Sequence, residues 1–196
     1  PKGLAPLLFD ELTTLGLTNT KASEAGVHLI GDVKDAYTVC LWSRLANRVL
    51  LQLDTIPASN ANALYEGVKA LDWLQHIAAD GSFVVDVNGT NEKLINSQFT
   101  AQKVKDAVVD LFQAKKHTRP NVDKDNPDIR INVLVKRDTA IISIDLSGES
   151  LHRRGYRMEG GMAPLKENLA AALLLRCQWP ALAKTGAAFV DPLCGS

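Results

Sequence analysis

The sequence predicts an α+β fold built as two consecutive modules with a third segment behind them. Three observations carry this. Helical apolar spacing alternates with short apolar runs through residues 1–56. A long amphipathic pattern followed by a two-strand hairpin pattern fills the middle of the chain. An apolar run entering the turn Asp191-Pro192-Leu193-Cys194-Gly195-Ser196 stands at the end.

The 196 residues, 46% hydrophobic and 22% charged, suit one large or two small domains. No apolar run reaches the roughly 20 residues of a membrane span, and no signal peptide opens the chain. Cys40, Cys177 and Cys194 are odd in number and far apart, forming neither a disulfide framework nor a metal pair. A reducing cytoplasm is the expected compartment. His28, His76, His117 and His152 are scattered without metal spacing, so no metal and no membrane partner is expected. Formal net charge is +0, yet residues 1–92 hold 6 of the 22 Lys and Arg and 11 of the 22 Asp and Glu. The later half therefore carries the basic surplus that a nucleic-acid surface needs.

In the first module, Leu4, Leu7, Leu8, Leu12 and Leu15 recur at helical spacing, with Pro6 tolerable in a first turn and Gly16 as a stop. Gly26-Val27-His28-Leu29-Ile30-Gly31 reads as a strand, and Asp32 caps a helix through Leu41. Arg48-Val49-Leu50-Leu51-Gln52-Leu53 reads as the next strand. This helix–strand–helix–strand series predicts a split-βαβ, ferredoxin-like unit over residues 1–56.

In the second module, Ser59 is positioned to cap a helix over 60–70, and Trp73 to anchor the turn after it. Phe83-Val84-Val85-Asp86-Val87 reads as a strand. Asn96 or Ser97 opens a helix to about Gln113, with Val104, Ala107, Val108 and Leu111 inward and Gln102, Asp106 and Asp110 outward. Residues 129–135 alternate as a strand and pair with 140–146 across Lys136-Arg137-Asp138-Thr139.

From Leu151 the character changes. His152-Arg153-Arg154-Gly155-Tyr156-Arg157 is basic, and Gly160-Gly161 forms a joint. Pro164 suits the first position of a helix reaching Cys177, which Trp179-Pro180 and Gly186 close before a terminal strand at 187–190. A short buried strand leading into a small-residue loop is how open α/β sheets approach a nucleotide-like ligand. Module boundaries are expected at 1–56, 57–157 and 158–196.

Five stretches carry a resemblance. They are Ile95-Asn96-Ser97-Gln98, Arg119-Pro120-Asn121-Val122 with Pro127-Asp128-Ile129-Arg130, and Asp145-Leu146-Ser147-Gly148 leading into the arginine stretch at 152–157. Ala163-Pro164-Leu165-Lys166-Glu167 and the terminal turn complete them. Together they resemble the bacterial 23S rRNA guanine-N2-methyltransferases of the RlmL, or fused RlmKL, type. The resemblance implies a ferredoxin-like domain, a THUMP RNA-binding domain, and the first helix and strand of a Rossmann-like methyltransferase domain, truncated in mid-loop. It implies S-adenosylmethionine as methyl donor and 23S rRNA or a large-subunit precursor as partner. The 196-residue chain is itself expected to be inactive and not to bind the cofactor. Two other readings stay open: a non-catalytic RNA-binding or assembly module, and part of an adenine-N6 DNA methylase. The base-specifying motif falls beyond residue 196.

Candidate site residues follow from both arguments. Lys115, Lys116 and Arg119 surround the loop after the long helix, where a guanidinium grips phosphate in bidentate fashion. Lys115 and Lys116 equally suit a solvated helix end that complements the dipole. Asn96, Gln98 and Asn121 offer short polar groups for RNA backbone or unpaired base edges. Asp128 and Arg130 alternate on a strand and read as a structural ion pair. Arg153, Arg154 and Arg157 suit RNA entering between modules, or an interdomain salt bridge. By the resemblance, Pro164, Lys166, Asp191, Pro192, Cys194 and Gly195 contribute a partial cofactor pocket. No catalytic residue is expected in this portion.

Overall fold

The computed structural model describes residues 3–155 and 165–192. The chain forms two compact units: residues 1–49 with 149–196, and residues 50–148.

In the first unit, helix α1 (Ala5–Thr14) starts at a proline-bearing first turn. It ends where Gly16 takes a left-handed φ of 85°. The Leu17 amide donates to the Leu12 carbonyl and the Gly16 amide to the Thr13 carbonyl, both at 3.0 Å. Leu12 and Leu17 are both buried, as this termination geometry requires. Strands β1 (Thr20–Ala22) and β2 (Val27–Leu29) pair antiparallel. Helix α2 (Val33–Trp42) opens on a reciprocal cap. Asp32 accepts from the Asp35 amide at 2.9 Å, and Asp35 from the Asp32 amide at 3.0 Å. A small core of Leu12, Leu17, Val39 and Ala46 closes the unit, with Leu151 packed against it from the returning chain.

The second unit is a five-stranded sheet in the order β3-β7-β6-β4-β5. Its members are β3 (Leu50–Pro57), β4 (Ser82–Asn88), β5 (Asn121–Val122), β6 (Ile129–Lys136) and β7 (Thr139–Asp145). Helices α3 (Ala61–Lys69) and α4 (Ser97–Lys116) bury Leu64, Val68, Val104, Ala107, Val108, Leu111 and Phe112 in one cluster with Phe83, Ile131, Val133 and Ile142. Trp73, in a 3-10 turn after α3, is fully buried and donates its indole N–H to the Val68 carbonyl at 2.8 Å. β4 and β6 run parallel with α4 as their crossover, while β6 and β7 form the expected hairpin. Gly89 turns the chain from β4 toward α4 at φ 76°, where a Cβ would run into the Val135 carbonyl oxygen.

Several sequence expectations need correction. The strand read over 48–53 runs over Leu50–Pro57 and pairs with β7, because Ile56 is an inward partner opposite Ala140. It therefore belongs to the larger sheet. Asn60, not Ser59, caps α3, since its side chain accepts from the Asn62 and Ala63 amides. Trp179-Pro180 does not close a helix but opens a further one. Helix α5 (Glu167–Arg176) is followed by α6 (Trp179–Lys184), with Pro180 in the first turn, where its missing N–H costs nothing. Residues 187–190 form no strand. None of the described residues pairs with them, and an extended segment becomes a strand only by pairing. Strands β1 and β5, at three and two residues, carry too little pattern to be read.

Candidate nucleic-acid interface

α4 places the expected RNA-contacting side chains of the second unit and divides them. Asn96 and Gln98 stand at its start, whereas Lys115 and Lys116 are its last two residues. Twenty helical residues span about 30 Å, so one short contact cannot engage both ends. The Asn96 side chain accepts from the Phe99 amide at 3.0 Å and is committed to capping. Gln98 is exposed.

At the other end, His117 leaves the helix in the left-handed region at φ 54°, and Lys115, Lys116, Arg119 and Asn121 are all exposed. The Asn121 amide donates to the Gly81 carbonyl, which docks β5 against β4 and fixes where Arg119 emerges. Lys115 and Lys116 thus end the helix, and Arg119 stands in the short connection two residues before β5. Asp128 accepts from both the Ser82 amide and the Ser82 hydroxyl at 2.8 Å. The Ser82 backbone N–H, then its hydroxyl, holds this carboxyl below its ordinary range. Arg130 does not pair with Asp128. It reaches across the strands to Asp86 at 2.9 Å, because Val84 and Arg130 are register partners and Asp86 lies two residues farther on the same face.

In the first unit the three arginines part company. Arg154 donates to the carbonyls of Cys40, Leu41 and Ser43 at 2.8, 3.2 and 2.6 Å, satisfying the otherwise open C-terminal end of α2. Arg153 lies 3.4 Å from Glu149, both side chains well exposed, and such pairs contribute little. Arg157 lies outside the described residues, as do Pro164, Cys194 and Gly195. Lys166 is exposed just before α5, and Asp191 and Pro192 are exposed beyond the unpaired 187–190 segment. Trp179 and Phe189 rings meet with centroids 5.0 Å apart. Lys166, Asp191 and Pro192 are the members of the expected cofactor pocket that fall among the described residues. Among the described residues no cluster of His, Cys, Asp or Glu could hold a metal, and no helix is long and apolar enough to cross a membrane.

Sequence reasoning missed two groups. Glu11 is buried and collects four donors: the Ser43 hydroxyl at 2.6 Å, the Arg44 amide and Nε, and the Leu45 amide. Its signal was legible, since it is the one carboxylate between Leu8 and Leu15 on the apolar helix face. Asn47, Ser150 and His152 form a second cluster. The Ser150 hydroxyl donates to Asn47 Oδ1 at 2.7 Å, and the Leu151 amide donates to the Asn47 carbonyl. His152 Nδ1 lies 2.8 Å from the Ser150 hydroxyl. A contact across 103 residues leaves no local pattern.

Residues 1–50 match the model of the RlmL ferredoxin-like domain, 58–145 that of the THUMP domain, and 154–196 that of the RMKL-like methyltransferase domain. The ribosomal RNA large subunit methyltransferase K/L of Cellvibrio japonicus is 51% identical over 196 residues, which are 100% of this chain and 26% of that protein. The chain thus spans about a quarter of the length of the curated relatives it matches. Among solved structures, a Listeria monocytogenes protein described as a predicted N6-adenine-specific DNA methylase superposes with a TM-score of 0.77 at 29% identity. That likeness covers 89% of this chain and 46% of the other. SMU.472, crystallised in complex with SAH, gives 0.76 at 31% identity, with the same coverage.

Proposed function

The chain belongs to the K/L family of large-subunit ribosomal RNA methyltransferases, and from that premise we propose that it is the RNA-recognition portion of such an enzyme. The whole protein transfers a methyl group from S-adenosylmethionine to N2 of a guanosine in 23S rRNA, in the cytoplasm. The observation that supports this best is the 51% identity running through all three domain matches in order.

The division of labour follows from the geometry. Methylation of an exocyclic amine requires the base to leave its stack, so most of the RNA must be held elsewhere. A closed sheet-and-helix unit with exposed cations at and just beyond a helix end is suited to holding it. Lys115, Lys116 and Arg119 neutralise phosphates, and Asn121 offers a polar contact beside them. Arg153 is a further exposed cation, whereas Arg154 is engaged with α2. S-adenosylmethionine supplies an electrophilic methyl group, and SMU.472 was crystallised with SAH, the product left when that methyl departs. Lys166, Asp191 and Pro192, the described members of the expected pocket, are assigned no step.

Titration of the chain with a structured 23S rRNA fragment over a range of salt tests the reading. Log affinity should fall with log salt at a slope of about 3 to 5 phosphates, and Arg119→Ala should lower that slope by roughly one. B-form DNA of equal length should compete poorly, because A-form geometry and 2′-hydroxyls set the fit. The Listeria likeness favours the second reading, an adenine-N6 DNA methylase. Equal binding of duplex DNA would establish that reading over the first.

A further inference from the structure

We propose that the surface formed by Phe99 and Ile95 is a stacking platform for one unpaired nucleotide of the bound RNA. This rests on the RNA-recognition reading and adds to it a second contact, at the end of α4 opposite Lys115, Lys116 and Arg119.

Ile95 is 75% exposed and Phe99 46% exposed, so two large apolar side chains four residues apart stand in solvent where α4 begins. Their backbone is held firmly. Leu94 is buried, and Asn96 caps the turn that carries Phe99. The preceding loop is pinned by Asn91, whose amide nitrogen donates to the Ala58 carbonyl at 2.8 Å and the Arg137 carbonyl at 2.7 Å. The Asn91 side-chain oxygen accepts from the Lys93 and Leu94 amides. One side chain therefore ties the approach to the patch to the β6–β7 turn and brings two cation-bearing segments together.

Charge decides what the patch receives. Lys103 Nζ lies 5.6 Å from the centroid of the Phe99 ring. Lys93, Lys136 and Arg137 are exposed on the pinned loop and turn, against Glu92 and Asp138. An apolar protein segment gains nothing from such a cationic surround, whereas a nucleotide offers a flat base for the ring and a phosphate for the ammonium. A paired base keeps its faces inside the helix, so the platform selects an unpaired one. Gln98, exposed in the same helical turn, has an amide able to meet a base edge.

The test uses this chain with a 12-nucleotide single-stranded RNA carrying one 2-aminopurine, and with a blunt RNA duplex of the same length. Phe99→Leu keeps apolar bulk but removes the ring, guarding against a trivial loss of packing. It should weaken single-strand binding by about 5- to 150-fold and abolish stacking-dependent quenching of 2-aminopurine. Duplex binding should be unchanged, and Phe99→Trp should restore both single-strand signals. Unchanged affinity and quenching in Phe99→Leu, with salt-sensitive duplex binding intact, would overturn the platform and leave the RNA reading standing. A changed oligomeric state with unchanged RNA affinity would also overturn it, making the patch a protein contact. Absence of binding to either RNA by the parent chain would overturn both.

Discussion

Residues 50–148 and residues 165–192 draw on similar apolar side chains, yet they bury them very differently. In the former, α3 and α4 lay their apolar faces on five strands, and Trp73, Phe83, Val104, Val108 and Ile142 are wholly removed from solvent. In the latter, α5 and α6 have no sheet among the described residues, Leu182 is 46% exposed, and Val190 is 79% exposed. Burial, rather than the presence of leucines, supplies stability, because each buried apolar side chain contributes about 1.5–3 kcal/mol over an exposed one. The lesson is that a helical pattern predicts a helix, but only a partner element makes it a core.

Truncation separates the two regions most sharply. Trp73→Ala removes a fully buried ring and its hydrogen bond to the Val68 carbonyl. It should cost about 3–5 kcal/mol in denaturant unfolding followed by circular dichroism. Leu182→Ala in α6 should change stability by less than about 0.5 kcal/mol. Equal losses at the two positions would mean that α6 is packed as tightly as the sheet unit, and the contrast would fail.

The rest of the first unit, residues 3–49 with 149–155, lies between these extremes, held by a small core and by polar ties. Glu11→Ala deprives the Ser43 hydroxyl and the Arg44 and Leu45 amides of their acceptor in a buried site, and should cost about 2–4 kcal/mol. Arg154→Ala, which uncovers the three carbonyls ending α2, should cost about 0.5–1.5 kcal/mol. Arg153→Ala should cost less than about 0.5 kcal/mol, since its pairing with Glu149 is solvent-exposed. A thermal melt of the three variants checks this order. A larger loss at Arg153 than at Arg154 would reverse the roles the geometry assigns.

The same contrast explains what was legible in the sequence. Elements whose own pattern specifies them were readable: the inward stripe of α4, the β6–β7 hairpin, the Asp32 cap and the Trp73 turn. Facts that depend on a distant partner were not. Leu50–Pro57 is recognisable as a strand, but its membership in the larger sheet is decided by β7, nearly ninety residues later. Residues 187–190 have strand composition, and among the described residues no strand pairs with them. The candidate interface was legible as residue types and illegible as a place. Asn96 and Lys116 belong to one motif-rich region of sequence, yet a straight helix holds them about 30 Å apart. The arginine stretch looked uniform, while geometry engages Arg154 with α2 and leaves Arg153 at the surface.

Asp128 sharpens the comparison at the smallest scale, between two exposed carboxylates. Glu149 meets Arg153 at 3.4 Å, whereas Asp128 receives two hydrogen bonds from Ser82 that join the start of β4 to the start of β6. Those bonds favour the charged form, so the folded Asp128 titrates below its unfolded counterpart. Its contribution is therefore complete above the unfolded value near pH 4 and is lost as pH falls through the lower folded value. Asp128→Asn preserves an oxygen that can accept from Ser82 but cannot titrate. At neutral pH the variant should be slightly less stable than the parent. As pH falls below about 4 the parent's urea midpoint should fall more steeply, and the two curves should converge. Parallel curves below that pH would show that the Ser82 bonds do not favour ionised Asp128, leaving it no more anchored than Glu149.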